Sequence, residues 1–271
     1  MIKQAIIPLA GLGTRLLPLT SVFAKELLPI NGKPGIQYIL DECIQAGIKE
    51  IIFIISTKKL MIKKYFFNDK FYKNIIQKNK DIRILNEYKK ILNYKRKIKF
   101  VFQNIPKGTG DAVLRTSKVV KDKYFLMLMP DDLIIKKNCS KAIINIHKKY
   151  KSSVMASMKV NKKNVSRWGI YKVKKKLDKN NFIIDSVVEK PTIKNAPSNN
   201  AVIGRYILPK SIFKKIRELK PKKGKELHIT DAIQLLINDN EKFVAHNFEG
   251  KYLDCGTMNG YINSSKEIGK I

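Results

Sequence analysis

Short apolar runs alternate with helix-like stretches along the first half of the chain. Four of these runs predict buried strands, at 3–11, 49–56, 97–103 and 123–129. Apolar residues recur at helical spacing at 33–48, where Pro34 marks the start and Gly47 the end, and at about 57–66, 109–120 and 138–150. This alternation indicates an α/β fold with a mixed, mainly parallel central sheet that is flanked by helices on both faces.

The pattern changes after about residue 151. Shorter strands separated by polar turns are expected at 152–160, 168–173, 182–190 and 201–208, with helices at 209–219, 229–238 and 257–268. The polar, lysine-rich stretch 68–97 has a helical pattern and is interpreted as an insertion between strands. We therefore expect one domain, 1–271, whose second half adds a smaller and more antiparallel β subdomain that covers the ligand.

The chain carries a formal net charge of +33, which raises the question of nucleic-acid binding. Of its 55 basic residues only seven are arginine, the preferred residue for base and phosphate recognition, at 15, 83, 96, 115, 167, 205 and 217. The lysines are spread along the whole chain. We interpret the charge as compositional drift toward residues with AT-rich codons and keep a basic nucleic-acid-binding protein as the alternative from another class. In either case the charge attracts anionic substrates.

Cysteine usage and hydropathy suggest a cytoplasmic protein. Cys43, Cys139 and Cys255 are far apart, and an odd, scattered set does not form a disulfide framework. No apolar run approaches the roughly 18 residues of a membrane span. The three histidines show neither metal-ligand spacing nor a partner for a nucleophile, so no Ser-His-Asp arrangement is expected.

The stretch LAGLGTRLLPLTSVFAKELLPI, residues 9–30, contains the first candidate site. Its glycines allow the backbone to approach a ligand, and exposed amides can bind phosphate oxygens. Arg15 can bind two oxygens at once, and Lys25 adds a point charge ten residues later. A tight turn followed by two solvated cations is the plainer alternative. The third glycine of a dinucleotide fingerprint is missing, because position 16 is Leu.

Four more clusters follow predicted strands, where ligands of open α/β sheets gather. Gln103, just past a strand, has an amide suited to a base edge, and Gly108 permits close approach before a helix. The remaining candidates are carboxylates and a lysine that could hold Mg²⁺, sugar hydroxyls or phosphate: Asp131 and Asp132, Glu189 and Lys190, and Asp254. Taken singly, each cluster has a plainer explanation as a helix start, a cap or a surface pair.

Together and in this order, the clusters resemble the sugar-nucleotidyltransferase family, and within it the bacterial enzymes that make UDP-glucose. The resemblance runs from about residue 2 to 265 and includes KGTGDAV, MPDD, VVEKP, APSNNAVIGRYIL, ELHITDAI and LDCGTMNGY. It implies a Rossmann-like nucleotidyltransferase fold, with a nucleotide-binding half at about 1–150 and a sugar-binding, closing half at about 151–271. It also implies that UTP and glucose 1-phosphate give UDP-glucose and pyrophosphate with Mg²⁺, in a homodimer or homotetramer.

The resemblance also implies roles for individual residues. Ala10, Gly11, Gln103 and Gly108 would meet the uracil, and Glu26 would support the nucleoside side. Gly13, Arg15 and Lys25 would hold the triphosphate, with Arg15, Lys25 and Lys190 acting in catalysis. The sugar side would comprise Gly169 and Glu189 at the glucose hydroxyls and Lys190 at the phosphate, and the metal ligands would be Asp131 and Asp254.

The chain departs from the family pattern at four positions. Asp111 stands where relatives often have histidine, His228 where they often have glutamine, Asp132 where some have valine, and Phe102 where an arginine often precedes the uracil-reading glutamine. None of these departures removes a proposed catalytic group. A nucleotidyltransferase that uses dTTP or another sugar 1-phosphate stays open, as does a non-catalytic regulatory relative.

Overall fold

A nine-stranded mixed sheet runs through the molecule in a computed structural model that describes residues 2–78, 81–220 and 226–270. The strands along the chain are β1 (Gln4–Pro8), β2 (Pro29–Ile30), β3 (Lys33–Pro34), β4 (Glu50–Ile55), β5 (Ile98–Phe102), β6 (Tyr124–Leu128), β7 (Asp132–Ile135), β8 (Ser153–Lys159), β9 (Gly169–Lys176), β10 (Asn181–Glu189), β11 (Asn200–Pro209), β12 (Phe243–Asn247) and β13 (Lys251–Asp254). The helices are α1 (Gly35–Gln45), α2 (Leu60–Phe67), α3 (Asp69–Lys78), α4 (Ile82–Lys95), α5 (Thr109–Arg115), α6 (Cys139–Tyr150), α7 (Ile212–Glu218), α8 (Ile229–Asn238) and α9 (Met258–Ile268).

The order of strands in the large sheet is β5-β4-β1-β6-β11-β8-β12-β10-β9. Strands β5, β4, β1 and β6 are parallel, and so are β12 and β8, whereas the pairs made by β11 and β10 are antiparallel. The predicted mixed α/β sheet is therefore confirmed, with its parallel part concentrated in the first half. The strands of the second half extend this same sheet, and β9 and β10 form a hairpin that needs no crossover helix.

Strand β4 shows why the first-half strands form. Residues 51–55 are all buried, as expected for a strand with helices on both faces. Ile51, Phe53 and Ile55 belong to one hydrophobic cluster with α1, and Ile52 and Ile54 belong to a second cluster with α5 and α7. Because side chains alternate along a strand, an unbroken apolar run supplies both layers of the core.

The elements that the sequence did not predict are short. Strands β2, β3, β7, β12 and β13 have two to five residues, and β7 and β13 pair as a separate small sheet. The helix expected at 109–120 ends at Arg115, and the insertion at 68–97 forms α3 and α4. Strands of two to five residues are too short for an alternation of apolar and polar positions to be recognised in the sequence.

The three cysteines are buried and free. Burial raises the pKa of the Cys255 thiol to about 12 and raises that of Cys43 and Cys139 as well, so these thiols stay protonated and unreactive at neutral pH. Among the residues described, the structure contains no helix of the length and apolarity needed to cross a membrane.

A buried ion pair between Arg205 on β11 and Glu42 on α1 ties the helices to the sheet. Arg205 is fully buried, and its Nε and Nη2 donate to the two oxygens of Glu42 at 2.9 and 2.7 Å. Its remaining N–H groups donate to the carbonyls of Gly204 at 2.9 Å, Asp132 at 2.8 Å and Met129 at 3.3 Å. All five donors of the guanidinium are thereby used, which is the condition for burying an arginine without a large desolvation cost.

We expect Glu42→Ala to lower the free energy of unfolding by about 3–5 kcal/mol, because it leaves the Arg205 charge buried without a partner. The measurement is urea unfolding followed by circular dichroism, with Glu42→Gln as a second variant that preserves the shape. Glu87→Ala is the matched control. Its partner Lys90 lies 2.6 Å away in an exposed pair, so its loss should cost less than about 1 kcal/mol. Equal effects of the two alanine variants would contradict the buried pair's importance.

Candidate active site

The loop between β1 and β2 brings Arg15 and Lys25 to one carboxylate. Gly13 has φ 72°, a left-handed conformation that glycine adopts readily, and the chain then turns through short 3₁₀ segments at Thr14–Leu16, Leu19–Ser21 and Lys25–Leu27. Lys25 Nζ lies 2.7 Å from Asp131 Oδ2, and Arg15 Nη2 lies 3.6 Å from the same atom. The ten-residue gap between the two cations is thus a loop that folds back on itself.

Asp131 and Lys25 keep each other charged. Burial alone would raise the pKa of Asp131, but the nearby Lys25 ammonium and the Arg15 guanidinium hold it below its usual range. Burial likewise favours neutral Lys25, yet Asp131 and Glu26 outweigh it and raise the pKa of the ammonium. Both groups are therefore ionised at neutral pH.

A second carboxylate, Asp254, faces Asp131 across Gly256. A Cβ at Gly256 would lie 2.9 Å from Asp131 Oδ2, 3.2 Å from Asp254 Oδ1 and 2.9 Å from Arg15 Nη2. Any side chain at this position would collide with both carboxylates and with the Arg15 guanidinium, so glycine here allows the two carboxylates to approach each other. Within the described residues no group of three or more His, Cys, Asp and Glu side chains forms a metal cage. Two carboxylates beside a phosphate site suit Mg²⁺, which is commonly held by one or two carboxylates plus substrate phosphates.

Asp132 has a different environment from its neighbour Asp131. Its Oδ1 accepts from the Tyr252 hydroxyl at 2.7 Å, and its Oδ2 accepts from the Gly204 N–H at 3.0 Å. Burial and the adjacent Asp131 charge raise the pKa of Asp132 to about 6. Asp132 thus connects β7, β13 and β11 and fixes the backbone around Asp131. This is the role that the second aspartate of the MPDD doublet has in the structure.

The sugar-side candidates lie together at the paired ends of β9 and β10. Gly169 and Glu189 are cross-strand partners, and a Cβ at Gly169 would lie 3.3 Å from Glu189 Oε2. The same carboxylate oxygen accepts from the Thr230 hydroxyl at 2.8 Å. Lys190 follows with φ 44°, its N–H donates to the Trp168 carbonyl at 3.1 Å, and its side chain is more than half exposed. This corner therefore presents a carboxylate held by Thr230 and, 3.8 Å from its Oε1, the exposed ammonium of Lys190.

A cavity of about 200 Å³ joins these groups. Its lining includes Arg15, Asp131, Gly169, Glu189, Lys190 and Asp254, together with Trp168 and the family departures Asp132 and His228. Lys25 reaches Asp131 from a neighbouring recess that Glu26 and Cys255 also line. Eight of the residues that the sequence singled out, including the departures Asp132 and His228, thus border one space.

The four residues that the resemblance assigns to the uracil lie outside this cavity, at the ends of β1 and β5 and at the start of α5. Ala10 is buried, and a Cβ at Gly11 would meet no described atom within 4 Å apart from those of its two chain neighbours. Gln103 Nε2 donates to the Gly108 carbonyl at 3.1 Å and to Asp111 Oδ2 at 2.7 Å, so Gln103 and Gly108 do meet. Asp111, one of the four departures from the family pattern, is therefore in contact with Gln103. Phe102, another departure, is 40% exposed.

The structure gives another reason for glycine at 108. Its φ is 99°, and a Cβ would lie only 2.6 Å from the Leu227 carbonyl oxygen and 2.7 Å from the Leu227 nitrogen. The close approach that the sequence suggested at Gly108 is therefore made in this structure by the chain's own backbone, as the 227 segment packs on the start of α5.

Several residues at the site were not predicted. Lys59 is buried and donates to both oxygens of Glu26 at 2.9 Å and to the Leu9 carbonyl at 2.8 Å. Burial lowers its pKa despite the Glu26 charge. Arg167 pairs with Asp254 Oδ2. The signal for Arg167 was present, because arginines are scarce in this chain, whereas Lys59 resembles every other lysine.

Comparison with known proteins finds relatives along almost the whole chain. The family model described as Nucleotidyl transferase matches residues 4–270. A UTP–glucose-1-phosphate uridylyltransferase of Streptococcus pyogenes is 36% identical over 272 residues, covering 97% of this chain and 88% of that protein. A solved UDP-glucose pyrophosphorylase complexed with UDP-glucose has a TM-score of 0.87 and 34% identity, covering 100% of this chain and 99% of that one. A UTP-bound UGPase from Acinetobacter baumannii has a TM-score of 0.88 and 31% identity, covering 99% and 94%.

These matches span almost the whole chain at more than 30% identity, and the resemblance inferred from the sequence motifs is confirmed. The nucleotidyltransferase fold is confirmed by the same superpositions. The chain belongs to the nucleotidyl transferase family.

Proposed function

We propose that this chain transfers the uridylyl group of UTP to glucose 1-phosphate, forming UDP-glucose and releasing pyrophosphate. The observation that carries the proposal is the meeting of Lys25 and Arg15 at Asp131, beside a cavity that Glu189 and Lys190 also line. The relatives that carry the name UTP–glucose-1-phosphate uridylyltransferase support the choice of both substrates.

The reaction needs positioning and charge neutralisation rather than a protein nucleophile. A phosphate oxygen of glucose 1-phosphate forms a bond to the α-phosphorus of UTP, and the bond from that phosphorus to the pyrophosphate oxygen breaks. The attacking oxygen is already anionic, so no base has to remove a proton. The repulsion between two anionic substrates is the main obstacle, and fixed cations reduce it.

On the nucleotide side, Ala10, Gly11, Gln103 and Gly108 would contact the uracil. Both N–H groups of the Gln103 amide donate to Gly108 and Asp111, which leaves its carbonyl oxygen to accept from uracil N3–H. Thymine has the same N3–H, so this contact selects uracil or thymine over cytosine, and the choice between UTP and dTTP lies elsewhere. Glu26, held by Lys59, would support the nucleoside.

Along the triphosphate, Gly13, Arg15 and Lys25 would bind the phosphate oxygens. The Lys25 ammonium is fixed by Asp131, so it can stabilise charge at the α-phosphorus without reorganising. The Arg15 side chain is 62% exposed and can move to the leaving pyrophosphate. On the sugar side, Gly169 and Glu189 would contact glucose hydroxyls and Lys190 its phosphate, with Thr230 holding Glu189 in place.

Asp131 and Asp254, which line the same cavity and both approach Gly256, would hold Mg²⁺. When bound, Mg²⁺ would supply positive charge at the phosphates of both substrates and help to orient them. Lys25 contributes by keeping Asp131 ionised, and Asp132 contributes by fixing the loop that carries it. In this proposal residues 1–150 bind the nucleotide and 151–271 bind the sugar and close over it. Assembly as a homodimer or homotetramer stays a prediction.

Incubation of the protein with Mg²⁺ and a panel of nucleoside triphosphates and sugar 1-phosphates should release pyrophosphate most rapidly with UTP and glucose 1-phosphate. UDP-glucose is identified by mass spectrometry. A preference for dTTP or another sugar would redirect the substrate assignment. Silence across the panel would favour a regulatory or nucleic-acid-binding protein, and salt-dependent binding to duplex DNA or RNA would distinguish these two.

Lys25→Ala should lower kcat by about 10²–10³-fold, the scale for losing one preorganised charge that acts in the transition state. Steady-state pyrophosphate release measures the effect. Lys58→Ala removes an equal charge from an exposed position and should leave kcat unchanged. Near-normal turnover in Lys25→Ala would remove the catalytic role of this lysine.

Asp131→Asn should raise the Mg²⁺ concentration that gives half the maximal rate by about tenfold or more. Changing a residue that only supports a metal ligand lowers metal affinity by about this factor, and losing a ligand should cost at least as much. The variant keeps the size of the side chain and removes its charge. Asp185→Asn, which alters an exposed pair with Lys172, is the matched control and should not shift the Mg²⁺ titration. An unshifted titration in Asp131→Asn would exclude Asp131 as a ligand.

A further inference from the structure

Arg167 forms an ion pair with Asp254, one of the two carboxylates beside Gly256. It ends a 3₁₀ segment at Lys162–Arg167, its guanidinium carbon lies 4.8 Å from the centre of the Trp168 ring, and its Nη2 contacts Asp254 Oδ2. The ring and the carboxylate together hold the guanidinium on the rim of the cavity, because cations are attracted to the face of an aromatic ring.

The two carboxylates of the site differ in how exposed their cationic partners are. Asp131 has the 62% exposed Arg15 at 3.6 Å and also Lys25, whose side chain is only 15% exposed, whereas the cation at Asp254 is Arg167, which is 45% exposed. An ion pair with one partner in water contributes little, because water and salt screen it. Arg167 is therefore the cation that a divalent ion can displace, while Lys25 stays at its carboxylate.

We propose that Arg167 competes with the divalent cation for Asp254 and thereby couples cation binding to the binding of the sugar phosphate. This inference rests on the proposed function, since it takes Asp254 as a metal ligand. Arg167 neutralises Asp254 before the cation enters, and entry of the cation releases the guanidinium. The released group then needs an anion, and it is already at the edge of the substrate cavity.

The backbone around Arg167 connects it to the sugar-phosphate corner. The Trp168 carbonyl accepts from the Lys190 N–H at 3.1 Å, and Gly169 pairs with Glu189. Arg167 thus lies two residues before Gly169, the first residue of β9, which together with Glu189 is proposed to bind the sugar. A guanidinium there can bind two phosphate oxygens through parallel N–H donors in one plane, a bidentate geometry that the ammonium of Lys190 lacks.

Coupling of this kind is reciprocal. If the cation frees Arg167 for glucose 1-phosphate, then glucose 1-phosphate must tighten cation binding by the same factor. Loss of the arginine should have two effects of opposite sign: tighter cation binding in the absence of substrate, and weaker binding of the sugar phosphate. A general disturbance of the site would weaken both.

The test measures binding of Mn²⁺ to the whole chain by electron paramagnetic resonance, with and without glucose 1-phosphate and without UTP. Arg167→Ala should tighten Mn²⁺ binding by about fivefold, the scale of an exposed ion pair. Its affinity for glucose 1-phosphate, measured by calorimetry with Mn²⁺ present, should fall by about 10- to 100-fold, the scale of hydrogen bonds to a charged group. Glucose 1-phosphate should no longer strengthen Mn²⁺ binding.

Two further arginine variants sharpen the result. Arg83→Ala removes an exposed arginine that pairs with Asp81 in the insertion, and it should change neither affinity. Arg167→Lys keeps the charge but not the fork, so it should keep Mn²⁺ binding near the wild-type strength and restore only part of the sugar-phosphate affinity.

Asp254→Asn separates failure of this inference from failure of the metal assignment. If Asp254→Asn weakens Mn²⁺ binding but Arg167→Ala does not tighten it, the competition is wrong and the metal assignment stands. If Asp254→Asn leaves Mn²⁺ binding unchanged, Asp254 is not a ligand and the inference fails together with that assignment. The inference is also wrong if glucose 1-phosphate strengthens Mn²⁺ binding in Arg167→Ala by the same factor as in the wild type.

Discussion

The buried pair between Arg205 and Glu42 is the interaction on which the site depends. Arg205 binds Glu42 on α1 and the backbone of Met129 and Asp132, while Glu42 also accepts from the N–H and hydroxyl of Ser140 at the start of α6. One ion pair thus joins two helices, β11 and the turn that presents Asp131. A charge in a low-dielectric interior is tolerated only when all its donors are used. The turn is therefore held in one arrangement, which a catalytic carboxylate requires.

Around this fixed turn, the site is locally neutralised although the chain as a whole is strongly basic. Asp131 has Lys25 and Arg15, Asp254 has Arg167, and Glu26 has Lys59. The net charge of +33 can attract any polyanion to the surface. In our proposal selectivity arises at the exposed Arg167–Asp254 pair, which opens only for a ligand that brings both anionic oxygens and a cation. When a ligand binds at this pair, each charged group exchanges one ionic partner for another. This exchange distinguishes the site from a general anion-binding surface, where a cation simply gains a partner.

The parts predicted from sequence are those with a long or chemically distinctive signal. The strand at 49–56 and the helix at 229–238 were recognised because an apolar run or a helical period extends over many residues. The short β7–β13 pair was missed, since its pairing is set by tertiary contacts such as the Asp132–Tyr252 hydrogen bond. Gly108 was recognised as a position of close approach, but sequence could not reveal that the backbone of Leu227 makes the approach.

The contrast between arginine and lysine explains which site residues could have been found. Lys59 contributes a buried point charge, and nothing in the sequence separates it from the many surface lysines. Two arginines near the site use what lysine lacks: Arg205 uses five donors in one plane, and Arg115 donates from Nε and Nη2 to the two oxygens of Asp111 at 3.0 and 3.4 Å. Lysine could replace the charge of each but not this geometry. In a chain whose basic residues are mostly lysine, each arginine is therefore a reason to look for a planar partner.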